Sequence, residues 1–164
     1  MKTFVLYVCV FSLIYFTSAK TLPQRSGRKK FPTVSRKLSA TKHDYDECYN
    51  KYNMTVGEMF KTYQILNDIY KVPENEEKVR KHGCVSHCVL EKIGAMEGLE
   101  VIADKMYSEI RERIYESLKG NVIKMVDNCI NAIKTVTDKC QKAFELQACL
   151  LKAYFKDLGD LIPR

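Results

Sequence analysis

The chain has 164 residues, 46% of them hydrophobic, with 27 Lys and Arg against 20 Asp and Glu for a formal net charge of +7. Such a chain is long enough for one packed domain and too short for two comfortable ones beside a flexible arm. The charge is uneven. Residues 20–42 hold eight basic side chains and no acid, whereas residues 43–164 hold 18 Lys and Arg against 20 Asp and Glu, a formal charge of −2 that excludes a basic nucleic-acid-binding core.

Met1-Lys2 is a short positive start, residues 3–16 are almost wholly apolar, and Thr17-Ser18-Ala19 offers the small residues that precede signal cleavage. Residues 1–19 therefore read as a signal peptide, and the mature chain begins near Lys20. The apolar stretch is short for a bilayer and no second one reaches spanning length, so stable membrane insertion is not expected and a secreted, extracellular location is. Residues 20–42, with Pro23, Gly27, Pro32 and the basic run Arg28-Lys29-Lys30, read as a flexible arm, and residues 43–164 as the folded domain. Cys9 leaves with the signal. The even set that remains, Cys48, Cys84, Cys88, Cys129, Cys140 and Cys149, is expected as disulfides in an oxidising compartment.

Residues 44–52 read as a first helix carrying Cys48. Thr55, with Glu58 three positions on, matches a capping box for a second, along which Met59, Tyr63, Leu66 and Tyr70 recur at helical spacing. Val72-Pro73-Glu74-Asn75 ends that run, and the polar stretch to Arg80 reads as a connection. A helix over residues 82–93 places Cys84 and Cys88 on one face, so two bridges leave the same side; a bond between these two would need unfavourable geometry in a regular helix. After Gly94 and Gly98, residues 99–118 carry the stripe Ile102, Met106, Ile110, Ile114 and Leu118. Gly120 then separates a helix over residues 122–136, with Val126, Cys129 and Ile130. Asp138 caps a last helix to about residue 156 that bears Cys140, Phe144, Cys149, Leu151 and Phe155. Leu158, Leu161 and Ile162 form a short apolar tail.

Catalysis has no foothold in these patterns. No Gly-x-Ser-x-Gly, His-Glu-x-x-His or phosphate-cradling glycine element occurs, and His43, His82 and His87 are the only histidines. His87 lies between Cys84 and Cys88, but cysteines committed to disulfides leave no metal cluster there, so neither metal nor cofactor is expected. Asn53-Met54-Thr55 matches an N-glycosylation acceptor.

The six cysteines are separated by 35, 3, 40, 10 and 8 residues. Together with Gly83-Cys84-Val85-Ser86-His87-Cys88-Val89-Leu90-Glu91-Lys92 and the segment from Asp138 to Cys149, this order resembles the insect pheromone-binding and general odorant-binding proteins, ant members in particular. The resemblance runs over roughly residues 44–154. It implies an all-α, compact shell of about six helices with three interlocked disulfides around an apolar pocket. It also implies the bridges Cys48–Cys88, Cys84–Cys140 and Cys129–Cys149, where cysteine arithmetic alone leaves fifteen pairings open. The function it implies is a secreted, non-enzymatic carrier of small apolar or amphipathic molecules such as odorants or pheromones. A second copy, as a homodimer, and a chemosensory receptor are further candidate partners.

Candidate wall residues on the inward faces are Met59, Tyr63, Leu66, Leu90, Ile93, Met96, Ile102, Met106, Ile110, Ile114, Val126, Ile130, Phe144, Leu151 and Phe155. Periodicity marks an inward face without showing a hollow interior, and core packing explains each residue equally well. Tyr63, Tyr107, Tyr115 and Tyr154 are candidate hydroxyl donors to a ligand head group. The histidines allow pH-dependent release, although the tail after residue 158 is short for a closing segment. The competing reading is a secreted, disulfide-stabilised helical defence or interaction protein whose basic arm binds anionic surfaces.

Overall fold

The computed structural model describes residues 40–158. The signal peptide, the arm as far as residue 39 and the tail residues Leu161 and Ile162 lie outside the described residues. Among the described residues six α-helices follow one another: α1 Lys42–Lys51, α2 Thr62–Leu66, α3 Glu76–Lys92, α4 Ala103–Arg113, α5 Glu116–Ala132 and α6 Lys139–Ala153. Two 3-10 turns, Ile69–Lys71 and Pro73–Asn75, join α2 to α3, and a π-type turn, Tyr154–Leu158, extends α6. The only strands among the described residues form a hairpin, β1 Met96–Glu97 with β2 Glu100–Val101, paired antiparallel.

Local chemistry sets several helix ends. Thr41 and Asp44 form a reciprocal box at the start of α1, Asp44 N–H donating to Thr41 Oγ1 at 3.2 Å and Thr41 N–H to Asp44 Oδ2 at 2.8 Å. Ala40, just ahead, is buried. α1 ends in a Schellman motif: Asn53 has φ of 46°, and the N–H of Met54 reaches back to the carbonyl of Tyr49 at 3.0 Å. Gly94, with φ of 72°, does the same for α3, where Ala95 N–H donates to Leu90 C=O at 2.8 Å. Asp138 accepts from Gln141 N–H at 2.7 Å to open α6.

Elsewhere the elements differ from the sequence expectation. The Thr55–Glu58 bond forms, Thr55 N–H reaching Glu58 Oε2 at 2.6 Å, but it closes an isolated turn, and the helix starts only at Thr62. The polar stretch before Arg80 is helical from Glu76, because Pro73 opens a 3-10 turn that feeds α3 and Glu76 and Glu77 suit the positive end of its dipole. Residues 99–118 are not one helix. Gly98, with φ of 58°, turns the hairpin, and Ile114 and Tyr115, with ψ of 141° and 140°, break the chain between α4 and α5. Gly120 lies inside α5. The extended link doubles α5 back on α4, so Met106 and Ile110 pack with Val122, Met125 and Val126, and Tyr107 hydrogen-bonds to Asp127 between the two helices.

Three disulfides tie the helices: Cys48–Cys88 joins α1 to α3, Cys84–Cys140 joins α3 to α6, and Cys129–Cys149 joins α5 to α6. α3 and α6 form the centre of the molecule. They meet at Gly83, where a Cβ would stand 2.1 Å from the carbonyl oxygen of Cys140. On one side of this pair Phe60, Tyr70, His82 and Phe144 make an aromatic cluster with ring centroids 5.1 to 6.4 Å apart. On the other side the packing opens into a cavity.

Candidate functional site

The cavity has a volume of about 110 Å³, on the scale where one water takes ~10–15 Å³, so it has room for a small organic molecule. Four helices supply most of its wall. α3 gives Val85, Ser86, Val89 and Leu90, and α6 gives Leu146, Gln147, Leu150 and Leu151, the same i, i+1, i+4, i+5 pattern on both sides of the central pair. α4 gives Met106, Glu109, Ile110 and Arg113, followed by Ile114, and α5 gives Val122, Met125 and Val126. Tyr45 of α1 and Met59 of the Thr55 turn complete it. Each bridge ends on a helix that carries wall residues, so the staples fix the helices whose side chains shape the void.

Of the candidate wall residues, Met59, Leu90, Met106, Ile110, Ile114, Val126 and Leu151 border the cavity. The others lie elsewhere. Phe144 is 1% exposed but points into the aromatic cluster, where Leu66 also packs. Ile93 and Met96 are buried at the far end of α3 and in the hairpin, with Ile93 packed beside Cys48 and Cys88. Ile102 caps α4, its N–H bonded to Ala95 C=O at 2.9 Å, and Ile130 packs between the α4–α5 contact and Cys129. Tyr63 is 60% exposed and Phe155 37%, the first because α2 is a single short helix and the second because α6 ends before it. The candidate head-group tyrosines Tyr63, Tyr107, Tyr115 and Tyr154 do not border the cavity; Tyr107 is bonded to Asp127, Tyr115 is 70% exposed and Tyr154 is buried against α4 and α5.

The wall's polar members came from no motif. Glu109 is buried and paired with Arg113, whose Nε lies 2.5 Å from Glu109 Oε2. Ser86 donates to Gln147 Oε1 at 2.8 Å. Position relative to the cysteines was the available signal: Val85 and Ser86 follow Cys84, and Val89 and Leu90 follow Cys88, so they share the face adjoining the bridges.

His82 and His87 serve packing. His82 is fully enclosed beside Phe60 and Phe144, and burial, only partly opposed by its bond to Gln147 and reinforced by the charge of Lys78, pushes its pKa down to about 4. His87 Nε2 bonds to Gly98 C=O at 2.7 Å and pins the hairpin to α3, while Nδ1 sits 3.3 Å from Glu91 Oε2 without hydrogen-bond alignment. With Cys84 and Cys88 both oxidised, no thiolate is left beside it for a metal. Among the described residues His43, Asp44 and Glu47 also approach one another, on exposed α1, but Asp44 is engaged by Thr41 and Glu47 by Lys92.

Stapled helices around an apolar void define a carrier of small hydrophobic molecules. The PBP/GOBP family profile matches residues 31–153. Similar proteins include pheromone-binding protein Gp-9 of Solenopsis globularia littoralis, 30% identical over 153 residues that cover 93% of this chain and 91% of that protein. Gp-9 of Solenopsis nigella gensterblumi is 28% identical and Gp-9 of Solenopsis richteri 29%, each over 93% of both chains. The chain belongs to the PBP/GOBP family. Among the described residues no helix is long and apolar enough to cross a membrane.

Proposed function

We propose that this protein, after loss of residues 1–19, is secreted and carries small hydrophobic molecules of the pheromone or odorant kind through an aqueous fluid. The observation that carries the reading is the cavity itself: α3, α4, α5 and α6 turn apolar side chains toward it instead of closing it. At about 0.8 kcal/mol for each methylene removed from water, a chain of about eight to twelve carbons offsets the entropy of binding and still reaches the ~8 kcal/mol of micromolar affinity. Delivery to a chemosensory receptor and pairing of two copies are the partner steps proposed with it.

Displacement of an environment-sensitive apolar fluorophore from the oxidised mature chain tests the reading, with a variant lacking residues 20–37 alongside. The deletion stops short of Ala40 and Thr41 because one is buried and the other caps α1. Saturable, competable binding that survives the deletion is expected; binding that requires the arm and fades with salt would support the anionic-surface reading instead. Asn53 is proposed as a glycosylation site, being exposed at the αL end of α1. A drop in intact mass on glycosidase treatment of the secreted protein, lost in Asn53→Gln, is the expected result.

A further inference from the structure

The wall of the cavity is polar in few places. Glu109 and Arg113 on α4 are paired with each other, so they bring no net charge. Ser86 and Gln147 stand between α3 and α6, and the hydrogen bonds around Gln147 determine which end of its amide is free. The backbone N–H of Phe60 donates to His82 Nδ1 at 3.2 Å. That nitrogen is therefore an acceptor, and the proton of the neutral ring is on Nε2. His82 Nε2–H lies 3.1 Å from Gln147 Oε1, and Ser86 Oγ–H donates to the same oxygen at 2.8 Å. Two donors converging on one atom require it to be the carbonyl oxygen, which fixes the amide against a flip.

The NH2 group of Gln147 consequently points away from this pair. No described residue accepts from it. Gln147 is half-buried, so its nitrogen is not sealed within the packing. Gln147 also borders the cavity.

We propose that Gln147 is the specificity-determining donor of the cavity, held by Ser86 and His82, and that it selects neutral ligands with a carbonyl oxygen (ketone, aldehyde or ester) over the bare hydrocarbon. The inference rests on the carrier reading and names the chemistry its cargo carries. A hydrocarbon that expels water leaves the amide N–H groups without an acceptor, a cost that a ligand carbonyl removes. A carboxylate fits less well, because the only cation in the wall is already paired with Glu109 and a second buried anion would lack a counter-charge.

The test uses the oxidised mature chain and compares methyl octyl ketone with decane, the alkane of equal carbon count, as competitors of the fluorophore. Gln147→Met removes the donor at similar length. Gln147→Leu removes the donor with a second apolar side chain, should the Met variant fail to fold. The ketone-to-decane affinity ratio is read within each protein, so a general loosening cancels. The expected result is a ratio lower in both variants than in the wild type by roughly 2–10-fold. The isotope-labelled ketone bound to the wild type is also expected to show a carbonyl stretch below its frequency in liquid hydrocarbon. Equal ratios in all the folded proteins, or a carbonyl frequency equal to that in hydrocarbon, would overturn the role of Gln147 while leaving the carrier reading in place. Failure of both competitors to displace the fluorophore from the wild type would overturn the carrier reading itself.

Discussion

Gly83 marks the nearest approach of the two central helices. A Cβ there would meet the carbonyl oxygen of Cys140 at 2.1 Å and its carbonyl carbon at 2.8 Å, and the backbone of a disulfide-bonded residue cannot swing aside. Gly83→Ala must push α3 from α6 while Cys84–Cys140 holds their Cα atoms 4.2 Å apart. The cost is expected at the upper end of overpacking, about 3 kcal/mol, read as a lower urea midpoint; an unchanged midpoint would refute the close approach. Two residues before Cys84, His82 carries a pH dependence. Its imidazole ionises near 6.5 in the unfolded chain and at about 4 in the fold, where burial keeps it neutral. Below 6.5 the unfolded chain takes up a proton that the fold excludes, so stability present above 6.5 is lost as the pH falls toward 4. At ~1.4 kcal/mol per pH unit the loss amounts to about 3 kcal/mol. Urea midpoints across that window should fall less steeply for His82→Gln than for the wild type, and parallel slopes would remove His82 as the cause.

At the scale of elements, α5 shows what a sequence can and cannot reveal. Gly120 suggested a boundary because glycine disfavours helix interiors by about 1 kcal/mol, yet the helix runs through it with open space where a Cβ would be. The same openness predicts that Gly120→Ala stabilises the protein by about 1 kcal/mol, a rise in thermal midpoint that the opposite behaviour of Gly83→Ala makes a sharp contrast. The true break, at Ile114 and Tyr115, has neither glycine nor proline to announce it. It follows from packing, since only a reversal there brings Ile110 against Val122. Caps were legible where one residue sufficed, as at Asp138, and misleading where the box closed only a turn, as at Thr55. The inward stripe of α4 was legible by period and borders the cavity at Met106 and Ile110. α6 has apolar side chains on more than one face, so Phe144 and Leu151 looked alike although one fills the aromatic cluster and the other meets the void. Gln147 could not be read at all, because its role depends on His82 and Ser86, 65 and 61 residues away.

The three bridges do different work in the whole molecule. They span 40, 56 and 20 residues, for which loop-closure entropy gives about 4, 4 and 3 kcal/mol. Such contributions are comparable to the entire stability of a small domain. Reduction of all three is therefore expected to abolish cooperative unfolding and competable binding together, and unchanged binding by a verified reduced sample would contradict it. Single bridges separate the two properties. Cys48–Cys88 ties α1 to α3, which together give five of the wall residues, only Tyr45 of them from α1, whereas Cys129–Cys149 clamps α5 to α6, which give seven. Loop length alone ranks the first bridge as the more stabilising; wall geometry ranks the second as the more important for binding. Replacing Cys129 and Cys149 by alanine should weaken ligand affinity more than replacing Cys48 and Cys88, while lowering the urea midpoint less. Both quantities measured on the two double variants decide it: affinity losses that simply follow the stability losses would mean the bridges act on the fold as a whole and not on the shape of the cavity.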